Sequence, residues 1–210
     1  MRFERVMKRA LDLVALQVPV EKIMAMQPGQ HFPIDLSDMS RAAIVLAVAA
    51  MDSYFTDVFA ERFVPFLKKK GPTREMVAFL EKAGLNTECA LQLLAMERPY
   101  RRIRTLIEAH LELRTTQKVA VIDELFLIYD LKDFSFNVQK LKRRKKLIDA
   151  IQNIVKRRNK IAHEGDVNSH GRVIPVDPER TKRRLQSVLT FVSGADELLH
   201  KRVAKCRKRP

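Results

Sequence analysis

Glycine is scarce in this chain, with six in 210 residues, and cysteine is scarcer, with two. Cys89 and Cys206 lie far apart with no Cys-x-x-Cys pair or Cys/His spacing, which excludes a disulfide framework and a cysteine-rich zinc site. A reducing cytoplasm is the expected setting. The longest apolar run, residues 42–51, is ten residues long. A membrane span needs roughly twenty, so neither a transmembrane helix nor a membrane partner is expected. The N-terminus lacks a secretory pattern. Arg2, Arg5, Lys8 and Arg9 would suit a transit peptide, but Glu4 and Asp12 interrupt them, and a folded amphipathic helix is the better reading. No Gly-rich phosphate loop, His-Glu-x-x-His string or Ser nucleophile elbow is present, so neither a metal nor another cofactor is expected.

Hydrophobic residues make up 46 % and charged residues 31 % of the chain, the balance of a globular protein long enough for one sizeable core. The charge is uneven. The net +15 divides into +2 over residues 1–70, −1 over residues 71–137 and +14 over residues 138–210. A charge serving solubility alone would be spread along the chain. Here it concentrates in Lys140, Lys142, Arg143, Arg144, Lys145 and Lys146, in Lys156-Arg157-Arg158, in residues 180–184 and in the tail at 201–209. Such a surface suits a polyanion whose phosphates it neutralises, and nucleic acid is the expected partner. Lys142, Arg143, Arg144, Lys145, Lys146, Arg157 and Lys160 are the candidate contacts.

Apolar periodicity and punctuation predict an all-α fold, a helical bundle of long helices with no significant sheet. No period recurs that would indicate a solenoid. An amphipathic helix over residues 3–17 is expected to stop before Pro19. An extended connection with Pro19, Pro28, Gly29 and Pro33 follows, and residues 1–39 read as an N-terminal appendage. Ser37 or Ser40 is expected to cap a long helix that runs to about Leu67 and stops at Gly71-Pro72. Shorter helices are expected from Thr73, from about Asn86, after Pro99, and from Thr115 or Thr116 to Asp130, with a loop at 132–136. A long basic helix over residues 138–163 is expected to end on Gly165 in the left-handed conformation. Asp177-Pro178-Glu179 then starts a final helix whose stripe is Leu185, Val188, Leu189, Val192, Leu199 and Val203. Residues 40–200 form the main domain, and 201–210 a basic tail.

On the basic helix, Leu147, Ile148, Ile151, Ile154, Val155, Ile161 and Ala162 fill one arc. Arg158 falls near its middle and Arg157 outside it. A guanidinium on an apolar seam is costly unless a carboxylate, carbonyls or a ligand phosphate satisfies it. Two readings stand: a structural arginine that snorkels to the helix end or pairs with Asp52, Asp57 or another acid of the long N-terminal helix, or an arginine that waits for phosphate. Asn159 borders the same arc and His163 lies one turn beyond it. At a helix C-terminus the dipole favours the imidazolium form of a histidine, which suits a proton donor as well as a capping residue.

Other signals are weaker. His110 with Glu112, Asp57/Glu61 and Glu108/Glu112 read as solvated helix faces, with no converging ligand set. His31, His170 and His200 are isolated. Phe126, Tyr129, Phe134 and Phe136 could stack bases, but core packing is the better reading.

The string Arg158-Asn159-Lys160-Ile161-Ala162-His163-Glu164-Gly165 resembles the signature of the HEPN superfamily, and its context is similar to the RiboL-PSP-HEPN branch. Four residues separate Arg158 from His163; Arg157 fits the permitted spacing as well, with five between. The wider resemblance covers residues 40–199 as helix order: an Ala-rich first helix, intervening helices, the motif on a late helix and a closing helix. The first forty residues and the basic tail fall outside it.

The resemblance implies a metal-independent endoribonuclease, working as a homodimer whose two motifs face one cleft. The RNA 2′-hydroxyl would attack the adjacent phosphate, leaving 2′,3′-cyclic phosphate and 5′-hydroxyl ends. It implies His163 as general acid or base, Arg158 as phosphate and transition-state ligand, Asn159 as an orienting group, and an acid from the first helix, here Asp52, in support. Such proteins often serve as toxins or antiviral effectors, with an antitoxin or regulatory partner. The rival expectation is a non-catalytic helical module that binds nucleic acid or an acidic partner through the same basic third, with Arg158 and His163 structural.

Overall fold

The computed structural model describes residues 2–26, 35–114 and 116–205. Pro28, Gly29 and Pro33 of the expected connection, His31, Thr115 as a helix start, Cys206 and the end of the basic tail lie outside them, as does the side chain of Val203. Among the described residues the chain forms nine α-helices and no strand: α1 (Arg2–Ala25), α2 (Ser37–Lys70), α3 (Arg74–Lys82), α4 (Thr87–Leu94), α5 (Pro99–Glu112), α6 (Val119–Phe126), α7 (Phe134–Leu141), α8 (Leu147–Glu164) and α9 (Pro178–Lys205). A short 3-10 turn, Leu127–Tyr129, extends α6. The fold is the expected all-α bundle.

α2 is its axis. By length and hydropathy it could cross a membrane, yet its apolar residues are those of a core helix. Ala43, Ile44, Ala47, Met51, Phe55, Phe59, Phe63 and Phe66 are buried, against α1, α5, α8 and α9. The three- and four-residue steps keep them on connected faces, and small alanines near the N-terminal end let neighbouring helices approach closely. Toward the other end the core turns aromatic. Phe126 stacks on Phe134 at 4.6 Å between centroids and meets Phe55 edge-on. Tyr129 is fully buried, and its hydroxyl donates to the Phe59 carbonyl at 2.6 Å. Phe126, Tyr129 and Phe134 therefore serve the core, whereas Phe136 is exposed.

Several helix ends follow the expected chemistry. Thr73 Oγ1 accepts from the Met76 N–H at 3.3 Å. Gly165 ends α8 with φ 62°, the left-handed conformation glycine adopts without strain. Asp177 Oδ1 and Oδ2 accept from the Glu179 and Arg180 N–H groups at 3.2 and 3.0 Å ahead of Pro178 at the first helical position.

Elsewhere the chain departs from expectation. α1 does not stop before Pro19 but runs through it to Ala25. The missing N–H leaves the Ala15 carbonyl without its helical donor, but Ala15 and Pro19 are both exposed, so water can serve it. On the opposite side Phe3, Met7, Ala10, Val14 and Gln17 are buried at heptad-like spacing. There Ser40 Oγ donates to Gln17 Oε1 at 2.5 Å, which anchors the helix two residues ahead of the proline, and Gln17 Nε2 donates to Glu21 Oε1 at 2.8 Å across it. Ser40 is thus a buried tether to α1 rather than a cap. Leu36 stands at the start of α2 with no side-chain cap.

The expected helix over residues 138–163 is two helices. α7 takes in Phe134, within the expected loop, and ends at Leu141; Arg143 turns the chain with φ 53° before α8 starts. A continuous helix would stack Lys142, Arg143, Lys145 and Lys146 as like charges three and four apart, which is unfavourable. The break spreads them over a turn, and Gln139 Oε1 accepts from the Ile148 N–H at 3.1 Å. Likewise Thr116 lies buried ahead of α6, which starts at Val119.

Candidate active site

The last two turns of α8 carry the motif. Leu147, Ile151, Ile154 and Val155 bury the first part of the helix against α2, α6, α7 and α9. The buried face then gives out: Arg158 and Asn159 are half-buried, Ile161 is partly covered, and Ala162 and His163 are exposed.

Arg158 Nη1 donates to Asn159 Oδ1 at 3.1 Å, and its Nε is shielded from water with no partner among the described residues. No carboxylate lies within ion-pair distance of it among those residues, so neither Asp52 nor Asp57 fills the expected structural role. Asp52 is occupied elsewhere. Its Oδ1 accepts from the Thr116 N–H at 2.6 Å and the Thr116 hydroxyl at 2.5 Å, bracing the segment ahead of α6. His163 forms no hydrogen bond among the described residues, and its ring is free at the surface.

The arginine that carries an ion pair is Arg157, which the helical arc placed outside the seam. Its Nη2 donates to Asp166 Oδ2 at 2.6 Å and to the Ile174 carbonyl at 3.3 Å. Asp166 is fully buried. The same Oδ2 accepts from Arg41 Nε of α2 at 2.9 Å, and Arg41 Nη2 donates to the Ile174 carbonyl at 2.8 Å. Arg41 Nη1 also donates to Asp38 at 2.8 Å, to Asp35 at 3.2 Å and to the Ser37 hydroxyl. Burial works against the Arg41 charge, yet its bonds to Asp166, Asp38 and Asp35 outweigh it and hold the guanidinium above the usual arginine range. Two hydrogen bonds from Ser37, aided by Arg41, hold Asp35 below the carboxylate range.

Chain reversal after α8 makes this junction possible. Gly165 and Asp166 both adopt positive φ, 62° and 57°. The chain then returns through a tight turn in which Asn168 Oδ1 accepts from the His170 and Arg172 N–H groups at 2.9 and 3.0 Å. Val167 and Val173 bridge antiparallel, and Ile174 arrives beside Asp166. The sequence carried a signal for this: an Asp directly after a Gly cap, and an arginine inside an Ala-rich buried run. Arg41, Asp38 and Asp166 were nevertheless missed.

The remaining candidates lie around this centre. Lys160 pairs with Glu164 at 3.8 Å on the exposed side of α8. Lys142 is engaged by Glu197 at 3.1 Å, and Arg144 Nη1 donates to Thr190 Oγ1 at 3.3 Å. Arg143, Lys145 and Lys146 are exposed in the turn before α8. Asp52 lies eleven residues beyond Arg41 on α2, about 16 Å along the axis. The structure therefore brings Arg158, Asn159 and His163 to one helix end and leaves Asp52 about three turns away from the Arg41 junction.

Beside the motif, Ala42, Val45 and Leu46 of α2 and Ile161 of α8 line a shallow apolar depression rimmed by Asp38 and Arg41. Chemically, this end of the molecule offers an exposed imidazole, a half-buried guanidinium with unused donors, and an apolar depression that includes Ile161 and Gly165 of the same segment. Among the described residues no three His, Cys, Asp or Glu side chains gather as a metal site. A family model described as RiboL-PSP-HEPN matches residues 20–201. Neither the curated proteins nor the solved structures compared with the chain gave a match.

Proposed function

The chain belongs to the RiboL-PSP-HEPN family, and from that premise we propose that it is a metal-independent endoribonuclease. The observation that carries the reading is the end of α8, where Arg158 holds an unpartnered Nε and His163 is exposed without a hydrogen bond. A buried guanidinium with a purely structural role is expected to find a carboxylate, as Arg157 does in Asp166.

In the reaction, the RNA 2′-oxygen forms a bond to the adjacent phosphorus while the bond from phosphorus to the 5′-oxygen breaks. A base takes the 2′-hydroxyl proton, and an acid gives a proton to the departing 5′-oxygen. The products are a 2′,3′-cyclic phosphate and a 5′-hydroxyl. His163 fills the proton-transfer role, and Arg158, oriented by Asn159, holds the non-bridging oxygens as negative charge builds on them. One imidazole cannot serve as both acid and base in the same step. A homodimer built on the apolar face of Ala42, Val45, Leu46 and Ile161 would bring a second His163 to the same cleft. Asp52, engaged with Thr116, braces the segment ahead of α6 and stands about three turns along α2 from Arg41. We place the activity in the cytoplasm as a toxin or defence effector, restrained by an antitoxin or regulatory partner.

The test is incubation of purified protein with end-labelled single-stranded and structured RNAs in excess EDTA, beside His163→Ala, with analysis of product ends. Cyclic-phosphate ends from the wild type alone are expected. RNA that is bound but stays intact, in a mixed tRNA pool as well, would leave a non-catalytic binding module as the function.

A further inference from the structure

We propose that the cleft between α8 and the first turns of α9 is a phosphate site that holds the RNA backbone to one side of the scissile phosphate, an inference that rests on the ribonuclease reading above. The cleft has a volume of about 440 Å³ and is lined by Lys156, Arg157 and Lys160 from α8, Arg180 and Arg184 from α9, and Asn153, with no carboxylate in its wall.

The sequence builds it from two directions. On α8, residues 153, 156, 157 and 160 recur at three- and four-residue steps and share one face. His163 follows Lys160 at i+3 and Lys156 at i+7, so the cations run along the helix from the proposed catalytic histidine, Lys156 about 10 Å away along the axis. On α9, Arg180 stands in the first turn, where the helix dipole already places positive charge and cations are disfavoured, and Arg184 follows one turn on.

Two of the five cations are paired, Arg157 with Asp166, which it shares with Arg41, and Lys160 with Glu164 at 3.8 Å. Among the described residues, the side chains of Lys156, Arg180 and Arg184 have no carboxylate within 4.0 Å. Arg184 is half-buried, and its burial lowers its affinity for a proton. Arg180 and Arg157 push in the same direction, and Asp166 only partly opposes them. Arginines crowded at this cost in a concave wall complement an anion. No aromatic ring lines the cleft and Asn153 is its single amide, so it can read phosphate oxygens but offers little to a base.

The test uses the full chain carrying His163→Ala, so that RNA stays intact. Affinity for a fluorescent single-stranded RNA is measured by anisotropy over a KCl series, with and without Arg180→Gln/Arg184→Gln. Loss of two phosphate contacts is expected to make the slope of log affinity against log salt shallower by about 1.4. An unchanged slope overturns the proposal. Lys156→Gln, at an exposed position, is expected to give about half that change and answers the question if the double variant does not fold. Sodium tripolyphosphate as competitor separates the two sources of phosphate: it is expected to displace RNA only weakly. Tight tripolyphosphate binding that the double variant loses, with the RNA slope unchanged, would assign the cleft to a free oligophosphate instead. Cleavage by the His163-bearing protein in EDTA is followed in parallel. A shallower slope without any cleavage keeps the cleft and rejects the ribonuclease, and cleavage with an unchanged slope does the reverse.

Discussion

Arg41 Nε lies 2.9 Å from Asp166 Oδ2, an ion pair between residues 125 apart in the chain that joins the start of α2 to the end of α8. The Asp166 side chain has no exposed surface, Arg41 only 7 % and Arg157 15 %. A buried pair is weak evidence of net stabilisation, because desolvating the charges offsets much of their attraction. Its removal is a different matter. Asp166→Ala leaves two guanidinium groups shielded from water without their shared acceptor.

Asp166→Ala is therefore expected to destabilise the fold by about 3–5 kcal/mol, read as a lower urea midpoint with little change in m. Asp166→Asn keeps the volume and one acceptor oxygen and is expected to cost less. A loss below about 1 kcal/mol for the alanine variant would show that the junction does not hold α8 in place.

Gly194 of α9 faces α7 at close range. A Cβ added there would sit 2.7 Å from Val138 Cγ1 and 3.0 Å from Lys142 Cε. The lysine chain can swing away, but Val138 is fully buried and has no room to move. Gly194→Ala is expected to cost about 1–3 kcal/mol by overpacking. Val138→Ala in the same chain should recover part of it, giving a coupling between the two sites in a double-mutant cycle. Additive losses would mean that the two helices separate instead of repacking.

Patterning made the helices legible, because an apolar stripe and its caps are local properties: Thr73, Gly165 and Asp177-Pro178 act where the sequence places them. The motif on α8 was legible for the same reason. Pro19 misled because a proline breaks a helix only when the rest of the helix has nothing to hold it, and Gln17 bonded to Ser40 is a contact across 23 residues. The break at Arg143 was hidden by apolar residues whose period continues through it. The Arg157–Asp166–Arg41 junction was illegible for a third reason. It depends on the chain reversing after Gly165, which brings Ile174 and Asp166 to α2, and helical angles computed along α8 cannot foresee a partner that arrives from outside the helix.

His110 on α5 should make stability depend on pH. Its Nε2 is buried without a partner, and its ring meets Phe79 edge-on at 5.3 Å. Burial lowers its pKa, and the charges of Arg114 and Lys82 push the same way. In the unfolded chain the imidazole titrates near 6.5, so below that pH the unfolded state binds the proton more readily than the folded one. This contribution is fully present above about pH 6.5 and is lost as pH falls through the lowered native value. Urea midpoints for the wild type are expected to drop as the pH falls below about 6.5. His110→Phe should remove that component of the fall, and an identical pH dependence in both proteins would locate it elsewhere.

His163 sets the opposite expectation, since it is exposed and makes no hydrogen bond among the described residues. His163→Ala is expected to change stability by less than about 0.5 kcal/mol, while RNA cleavage falls by about 10²-fold or more. Arg158→Lys tests the other half of the motif. It keeps the charge but loses the planar fork that can meet two phosphate oxygens at once, and at such a site the exchange is not conservative. Cleavage by Arg158→Lys should drop by about tenfold or more, with RNA affinity and its salt dependence nearly unchanged, because one positive charge is retained. Single-turnover rates at saturating protein separate the chemical step from binding. If both variants cleave at the wild-type rate under those conditions, the end of α8 is not where the reaction occurs.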